Sequence, residues 1–441
     1  MFKESAWRLA TQFAVTIMAV LTSVIVNRLL GPTNKGMYVI VTLATGTILR
    51  FGGLGLSSAI AYHVAKKTFA REQVWTFVIV FSVLWGLILG LVGAVIFALL
   101  PGEALKLDSV GTVFLYAGAL SLFSNLAVVY LRYYILGGQQ FGLFNRMDIL
   151  RNALGFVFPV VLLVALRDKL VAMYLAWLCT PILMMIILGW VSWAPCPLRD
   201  VPWKAMVRTH LAYGLKNYVA QLLQFFNYRL DRFVLNFFMG ATQVGLYSVA
   251  VSLGEYVWQL SNAVQTVLFP KVAAADEERA TIMTARANRN TVFLSAIAAL
   301  GLGLFGYWII DLLYGEEFLP AYQGLLWLLP GVVAFSAVKI LYSDLAARGR
   351  PEIGSYFTGG AIVATLLFDF LLIPRSGLVG AAQASTLAYS SAAVICTVLY
   401  VKITGVHVRL LFLPQREDFR AYARLVSRAG HITAGKLMNA K

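Results

Sequence analysis

Apolar residues along the chain come in long unbroken runs separated by short polar segments. The runs cover positions 8–30, 37–62, 74–100, 110–136, 149–166, 170–192, 211–238, 243–270, 290–314, 322–346, 355–373 and 377–402. At the helical rise of about 1.5 Å per residue, each is long enough, with tilt, to cross a hydrocarbon core of roughly 30 Å. A membrane β-barrel would show short alternating segments instead. The pattern therefore predicts an all-α integral membrane fold with about 12 transmembrane helices, because only helices and closed barrels satisfy their backbone polar groups in lipid. The first run follows Lys3 and Arg8 without a small-residue cleavage site and flows through Gly31-Pro32 into a second run. A cleaved signal peptide is not expected from that arrangement.

Composition agrees. The 441 residues are 60% hydrophobic and 13% charged, with mean hydropathy +0.77, and a soluble fold of this length would lack a polar surface. The formal net charge of +16 would suit nucleic acid, but its distribution does not. Most Lys and Arg fall in the loops on the side of the two termini, as with Lys66, Lys67, Arg71, Arg199, Lys204, Arg208, Arg348 and Arg350. The opposite loops carry few, and acidic residues show no comparable bias. This positive-inside pattern places both termini in the cytoplasm and makes membrane lipid, with no nucleic acid, the expected environment. Cys179 and Cys396 lie in apolar runs and Cys196 in a polar loop, which gives neither a disulfide framework nor a metal cluster.

The longest polar interruption before the tail, Ser192 to His210, contains Pro195, Pro197 and Pro202 and divides the runs six and six. The expected organisation is an N-terminal six-helix bundle over 1–192, a cytoplasmic linker over 193–210, a C-terminal six-helix bundle over 211–404 and a basic cytoplasmic tail over 405–441. The halves partly repeat at an ungapped offset of 209: Gly31, Gly36 and Tyr38 match Gly240, Gly245 and Tyr247, Asn27 matches Asn236, and Gln12 matches Gln221. Six spans per half make the repeat parallel about an axis normal to the membrane, the arrangement of alternating-access transporters. In the tail, Arg416, Arg420, Arg424 and Arg428 recur every fourth residue; an amphipathic helix on anionic lipid and a solvated tail are both open readings.

No P-loop, HExxH motif or nucleophile elbow is present, so no enzyme activity and no cofactor are expected. The candidate chemistry lies in polar residues within apolar helices, which are costly unless they face protein or water. Asn217, Gln221, Gln224, Tyr228 and Asp231 fall within about 40° of one line on a helix, with Arg232 at the edge. The next span repeats the pattern with Ser248, Ser252, Glu255, Gln259, Asn262 and Thr266. Amides can merely bond helices together, but two full-length stripes favour a hydrated cavity. The offset places Arg50 opposite Gln259, near mid-membrane and facing the same space. An arginine there needs an anion or acid partner, and Glu255 is the candidate internal one. Arg50, Arg232 and Lys339 are the candidate cradle for a phosphate or pyrophosphate. Glu255 is the candidate for coupling to H+ or Na+. Asp344 and Asp369 are expected to be solvated or capping.

The segment Asn27-Arg-Leu-Leu-Gly-Pro-Thr-Asn-Lys-Gly-Met-Tyr38, followed by Phe51-Gly-Gly-Leu-Gly-Leu-Ser-Ser-Ala-Ile-Ala-Tyr-His-Val-Ala-Lys66, resembles the opening of Wzx-type polysaccharide flippases. Asp231-Arg232 with Gly245-Leu-Tyr-Ser-Val-Ala250, and Gly377-Leu-Val-Gly-Ala-Ala382, extend the resemblance over nearly the whole chain. It implies the fold of the multidrug/oligosaccharidyl-lipid/polysaccharide exporter superfamily, two six-helix bundles forming a V around a central cavity. It further implies a bacterial inner-membrane protein that turns over an undecaprenyl-diphosphate-linked glycan, with polysaccharide polymerase and glycosyltransferases as neighbours. A multidrug or cation antiporter of the same superfamily is the alternative, and would want an acidic or apolar cavity.

Overall fold

The computed structural model describes residues 2–100, 105–350, 353–413 and 415, without the side chains of 2–15, 216–217, 219–221 and 355. The described residues form helices and no strand. In chain order they are α1 (Phe2–Gly52), α2 (Leu56–Ala65), α3 (Arg71–Leu99), α4 (Ser109–Leu120), α5 (Leu122–Gly137), α6 (Phe141–Ala165) and α7 (Lys169–Val191). There follow α8 (Trp203–Met239), α9 (Ala241–Ala273), α10 (Glu277–Tyr314), α11 (Ala321–Ala347), α12 (Ile353–Thr404) and the short α13 (Val408–Phe412). Seven of them are long and apolar enough to cross a membrane, or eight if the pair α4 and α5, bent by 46°, is one span. The chain is thus a multi-pass helical membrane protein.

Several expected boundaries move for physical reasons. Runs 8–30 and 37–62 merge into α1, which kinks at Gly31 (φ 69, ψ 172) before Pro32. The second run then stops at Gly52, and α2 starts after a turn in which Leu54 and Gly55 have positive φ. Runs 355–373 and 377–402 merge into α12 about a similar break at Gly377 (φ 54, ψ −129). Helices α8 and α9, which carry the two polar stripes, fall outside the apolar set. The stretch 193–210 is not a free linker: α8 already begins at Trp203, and Val201 and Met206 are buried in a core with Trp75, Phe77 and Tyr134. Thr76 fastens it by accepting from the Cys196 amide at 2.9 Å, and Gln73 donates to the Asp200 carbonyl at 2.8 Å.

Two compact units are present. The first comprises Met1–Val249, Trp308–Ala321 and Ile373–Ala381; the second comprises Ala250–Tyr307, Tyr322–Leu372 and Ala382–Lys441. The first unit thus runs through the proline-rich stretch as far as Val249.

Inside the first unit the repeat takes physical form. Gly31 and Gly240 share one left-handed backbone conformation (φ 69 and 83), which only glycine adopts without strain. Thr33 and Thr242, also 209 apart, meet hydroxyl to hydroxyl at 2.9 Å. A Cβ on Gly36 would lie 1.7 Å from the Ala241 carbonyl oxygen, and one on Gly245 would lie 1.9 Å from that of Pro32. Pro32 and Ala241 are themselves equivalent by the offset. The two helix breaks therefore meet as an isologous contact about a local two-fold axis.

Candidate functional site: a basic cavity in the first unit

The end of α1 is built to hold a side chain in a fixed place. Its last carbonyls have no intrahelical donors, and three aromatic groups supply them. Tyr218 donates to the Phe51 carbonyl, Trp85 Nε1 to that of Gly52 at 2.8 Å, and the Tyr130 hydroxyl to that of Gly53 at 3.3 Å. Arg50 occupies this last turn, where a cation is favoured by the negative end of the helix dipole. Its guanidinium carbon stands 6.0 Å from the Phe225 ring centroid.

Arg50 lines a cavity of about 840 Å³ enclosed by α1, α5, α6, α7 and α8, together with Lys35, Arg132 and Arg151. That volume is in the usual range of roughly 300–1,000 Å³ for ligand sites. Arg132 from α5 forms a salt bridge with Asp148 of α6, and its guanidinium stacks 5.2 Å from the Phe144 centroid. Arg151, one turn beyond Asp148 on α6, interacts electrostatically with both. One carboxylate thus serves two guanidinium groups. Lys35, beside the Tyr38 ring at 5.8 Å and within electrostatic reach of Arg232, adds further positive charge. The walls between the cations are amides and aromatic rings, including Asn125, Asn152, Tyr133 and Trp177. Such a space attracts a multiply charged anion that carries polar and ring-bearing groups.

Of the residues singled out from sequence, Arg50 lines this cavity, and Arg232 adjoins it through Lys35. Asn217 and Gln221 lie among the positions whose side chains are not described. Helix α8 turns Tyr218 and Leu222 to the cavity, one position round from the expected stripe; Gln224 is exposed, and neither it nor Tyr228 lines this cavity. Asp231 is buried, accepting from the Tyr247 hydroxyl at 2.6 Å and from the Arg232 amide at 2.8 Å, which makes it a brace between α8 and α9.

The second unit gathers another part of the expected set. Lys339 donates to Asn262 Oδ1 at 3.2 Å, lies 5.1 Å from the Trp258 ring centroid and interacts electrostatically with Glu255. Gln259 is exposed one turn along α9. Asp344, expected to be solvated, is fully buried. It accepts from Thr284 at 2.7 Å and from Arg348 Nε at 2.7 Å. Asp369 is also fully buried. The arginines at 416, 420, 424 and 428 lie outside the described residues. No group of three or more His, Cys, Asp or Glu suited to a metal occurs among the described residues.

Arg132, Asp148 and Arg151 were missed by sequence reasoning. The signal was available as an acid and a base three apart at the mouth of one run and an arginine inside the preceding one. What joins them is the antiparallel pairing of α5 and α6, which periodicity does not show.

The helical architecture has the fold of solved transporters of the multidrug/oligosaccharidyl-lipid/polysaccharide exporter superfamily. The chain superposes on the lipid II flippase MurJ in an inward closed conformation, with TM-score 0.75 and 13% identity over 92% of this chain and 89% of that one. It superposes on an inward-facing multidrug resistance MATE family transporter of the MOP superfamily with TM-score 0.72 and 16% identity, over 89% and 94%. Residues 25–323 match the model of the polysaccharide biosynthesis protein family, and the chain belongs to that family. A curated relative, the probable low-salt glycan biosynthesis flippase Agl15 of Haloferax volcanii, is 25% identical over 234 residues. The match covers 52% of this chain and 48% of the relative, so the chain spans about half the length of that protein.

Proposed function

We propose that the protein is a flippase that moves an undecaprenyl-diphosphate-linked oligosaccharide from the cytoplasmic to the outer leaflet of a bacterial inner membrane, for exopolysaccharide, O-antigen or capsule assembly. The observation that carries this reading is the cavity lined by Arg50, Lys35, Arg132 and Arg151, beside which Asp148 supplies one carboxylate. Guanidinium forks bind phosphate oxygens in pairs, and a diphosphate is the part of such a lipid that most needs help to cross. The same positive potential repels organic cations, which weighs against the antiporter reading. Family membership and the flippase relative support the same conclusion.

In this reading the halves 1–192 and 211–404 alternate access, joined through 193–210, with both termini and the basic tail over 405–441 in the cytoplasm. Glycosyltransferases and a polysaccharide polymerase supply and consume the substrate. No cofactor takes part. Glu255 is the candidate coupling carboxylate for H+ or Na+, and Lys339 lies within electrostatic reach of it. The head group passes through a wet cationic space while the prenyl chain remains in lipid, and no covalent step is needed.

Depleting the protein in its host is expected to leave undecaprenyl-linked glycan on the cytoplasmic leaflet, measured by its protection from externally added glycosidase or lectin. Restoring Arg50→Ala at wild-type abundance is expected to leave that block in place. Unchanged export by that variant would remove Arg50 from the site.

A further inference from the structure

One stretch of the same cavity's lining differs from the part around Arg132. Arg151, Asn152, Gly155 and Pro159 follow one another along the lining face of α6, while Trp177, Thr180 and Pro181 face them from α7. Pro159 and Pro181 both lie inside their helices. A proline has no N–H, so the carbonyls four residues earlier, those of Gly155 and Trp177, lose their helical donors. Both of those residues line the cavity. The Thr180 hydroxyl does not restore the balance, because it donates to the Ala176 carbonyl at 2.6 Å.

Trp177 is held for contact. The edge of its indole packs on Gly118 of α4, where a Cβ would stand 2.4 Å from Cη2. Gly155, in contrast, faces open space, with no atom within 4 Å of a Cβ built on it. At about 1.5 Å of rise per residue, Gly155 lies roughly 6 Å and Pro159 roughly 12 Å further along α6 than Arg151.

We propose that this stretch, from Gly155 to Pro159 on α6 and Trp177 to Pro181 on α7, is a saccharide subsite for the first pyranose of the lipid-linked glycan, an assignment that rests on the flippase reading above. Carbonyl oxygens repel a phosphate and gain nothing from a prenyl chain, whereas the hydroxyl and amide donors of a neutral sugar satisfy them. The indole offers the flat apolar surface that the C–H face of a pyranose covers.

The test is binding to the full-length protein in lipid nanodiscs, with two probes: undecaprenyl diphosphate, and undecaprenyl diphosphate bearing one N-acetylhexosamine. Wild type is expected to prefer the glycosylated probe by about tenfold, the equivalent of one to two net hydrogen bonds. Trp177→Ala and Gly155→Leu are expected to abolish the preference, and the melting midpoint of each variant shows that it is folded. Gly155→Leu fills the open space without meeting its surroundings. Equal binding of the two probes by wild type, or a preference that survives both substitutions, overturns the saccharide subsite alone. Binding of neither probe by wild type overturns the flippase reading and the subsite with it.

Discussion

Arg132, Asp148 and Arg151 show how single charges set what a membrane cavity attracts. Replacing Arg132 by Gln leaves Asp148 beside Arg151, so the carboxylate keeps a partner and the fold survives. What disappears is the surplus charge. A charge-assisted hydrogen bond contributes about 1.5–3 kcal/mol net, so Arg132→Gln and Arg151→Gln are each expected to weaken binding of undecaprenyl diphosphate by tenfold or more. Lys at either place should recover part of it, since a point charge replaces the planar fork. Undiminished binding by both Gln variants would show that the anion sits elsewhere. A second residue-scale prediction concerns His210, which precedes the expected span at 211–238 and lies fully buried, its ring 4.9 Å from that of His63. Burial pushes its pKa down to about 4, and that of His63 is lowered by the same cause. The unfolded chain then binds protons that the folded one refuses, so stability is complete above about pH 6.5 and falls as the pH drops toward 4. Melting temperatures of the detergent-solubilised protein should decline over that window, and His210→Phe should flatten the decline. An unaltered acid limb in that variant would assign it to other groups.

At the scale of elements, helix endings matter more than helix interiors. Tyr218, Trp85 and Tyr130 converge on successive carbonyls at the end of α1, and thereby fix the turn that carries Arg50. Trp85→Phe removes one donor and keeps the ring, and is expected to cost about 1 kcal/mol of stability, read as a lowered melting midpoint. An unchanged midpoint would mean that water replaces the indole N–H there. These endings also explain what the sequence showed and what it hid. Long apolar runs announced a helical membrane protein, and the offset of 209 announced equivalent breaks at Gly31 and Gly240. The stop at Gly52 was not legible, because Phe51 to Ala65 is as apolar as a continuing span, and the turn depends on donors from α3, α5 and α8. The polar line on α8 was legible as a line. Its direction was not, since Asp231 is drawn inward by Tyr247 and the cavity receives Tyr218 instead. Arg50 could be placed from the repeat alone, whereas Arg132 and Arg151 become neighbours only through the pairing of α5 with α6.

At the scale of the whole molecule, the alternating access proposed above requires that equivalent segments of the two repeats touch in one state and part in another. The contact between the two helix breaks has the properties such a place requires. Its surfaces are glycine against backbone, with Gly36 on Ala241 and Gly245 on Pro32, so it closes tightly. A single hydroxyl pair, Thr33 with Thr242, lies across the local axis. Close backbone packing means that any added side chain holds the two segments apart. Cysteines at both positions of the axis pair should therefore form a disulfide on mild oxidation, since the two hydroxyls already meet at 2.9 Å. In the double variant T33C/T242C, oxidised in the membrane, glycan export is expected to stop and then to recover on reduction, while either single variant continues to export. Gly36→Leu is expected to have the opposite structural effect, prising the contact open and raising the reactivity of a cysteine at 242 toward a membrane-impermeant thiol reagent. Export that continues at the wild-type rate with the disulfide fully formed would show that this axis stays closed throughout the cycle, and the moving parts would have to be sought among the other helix breaks.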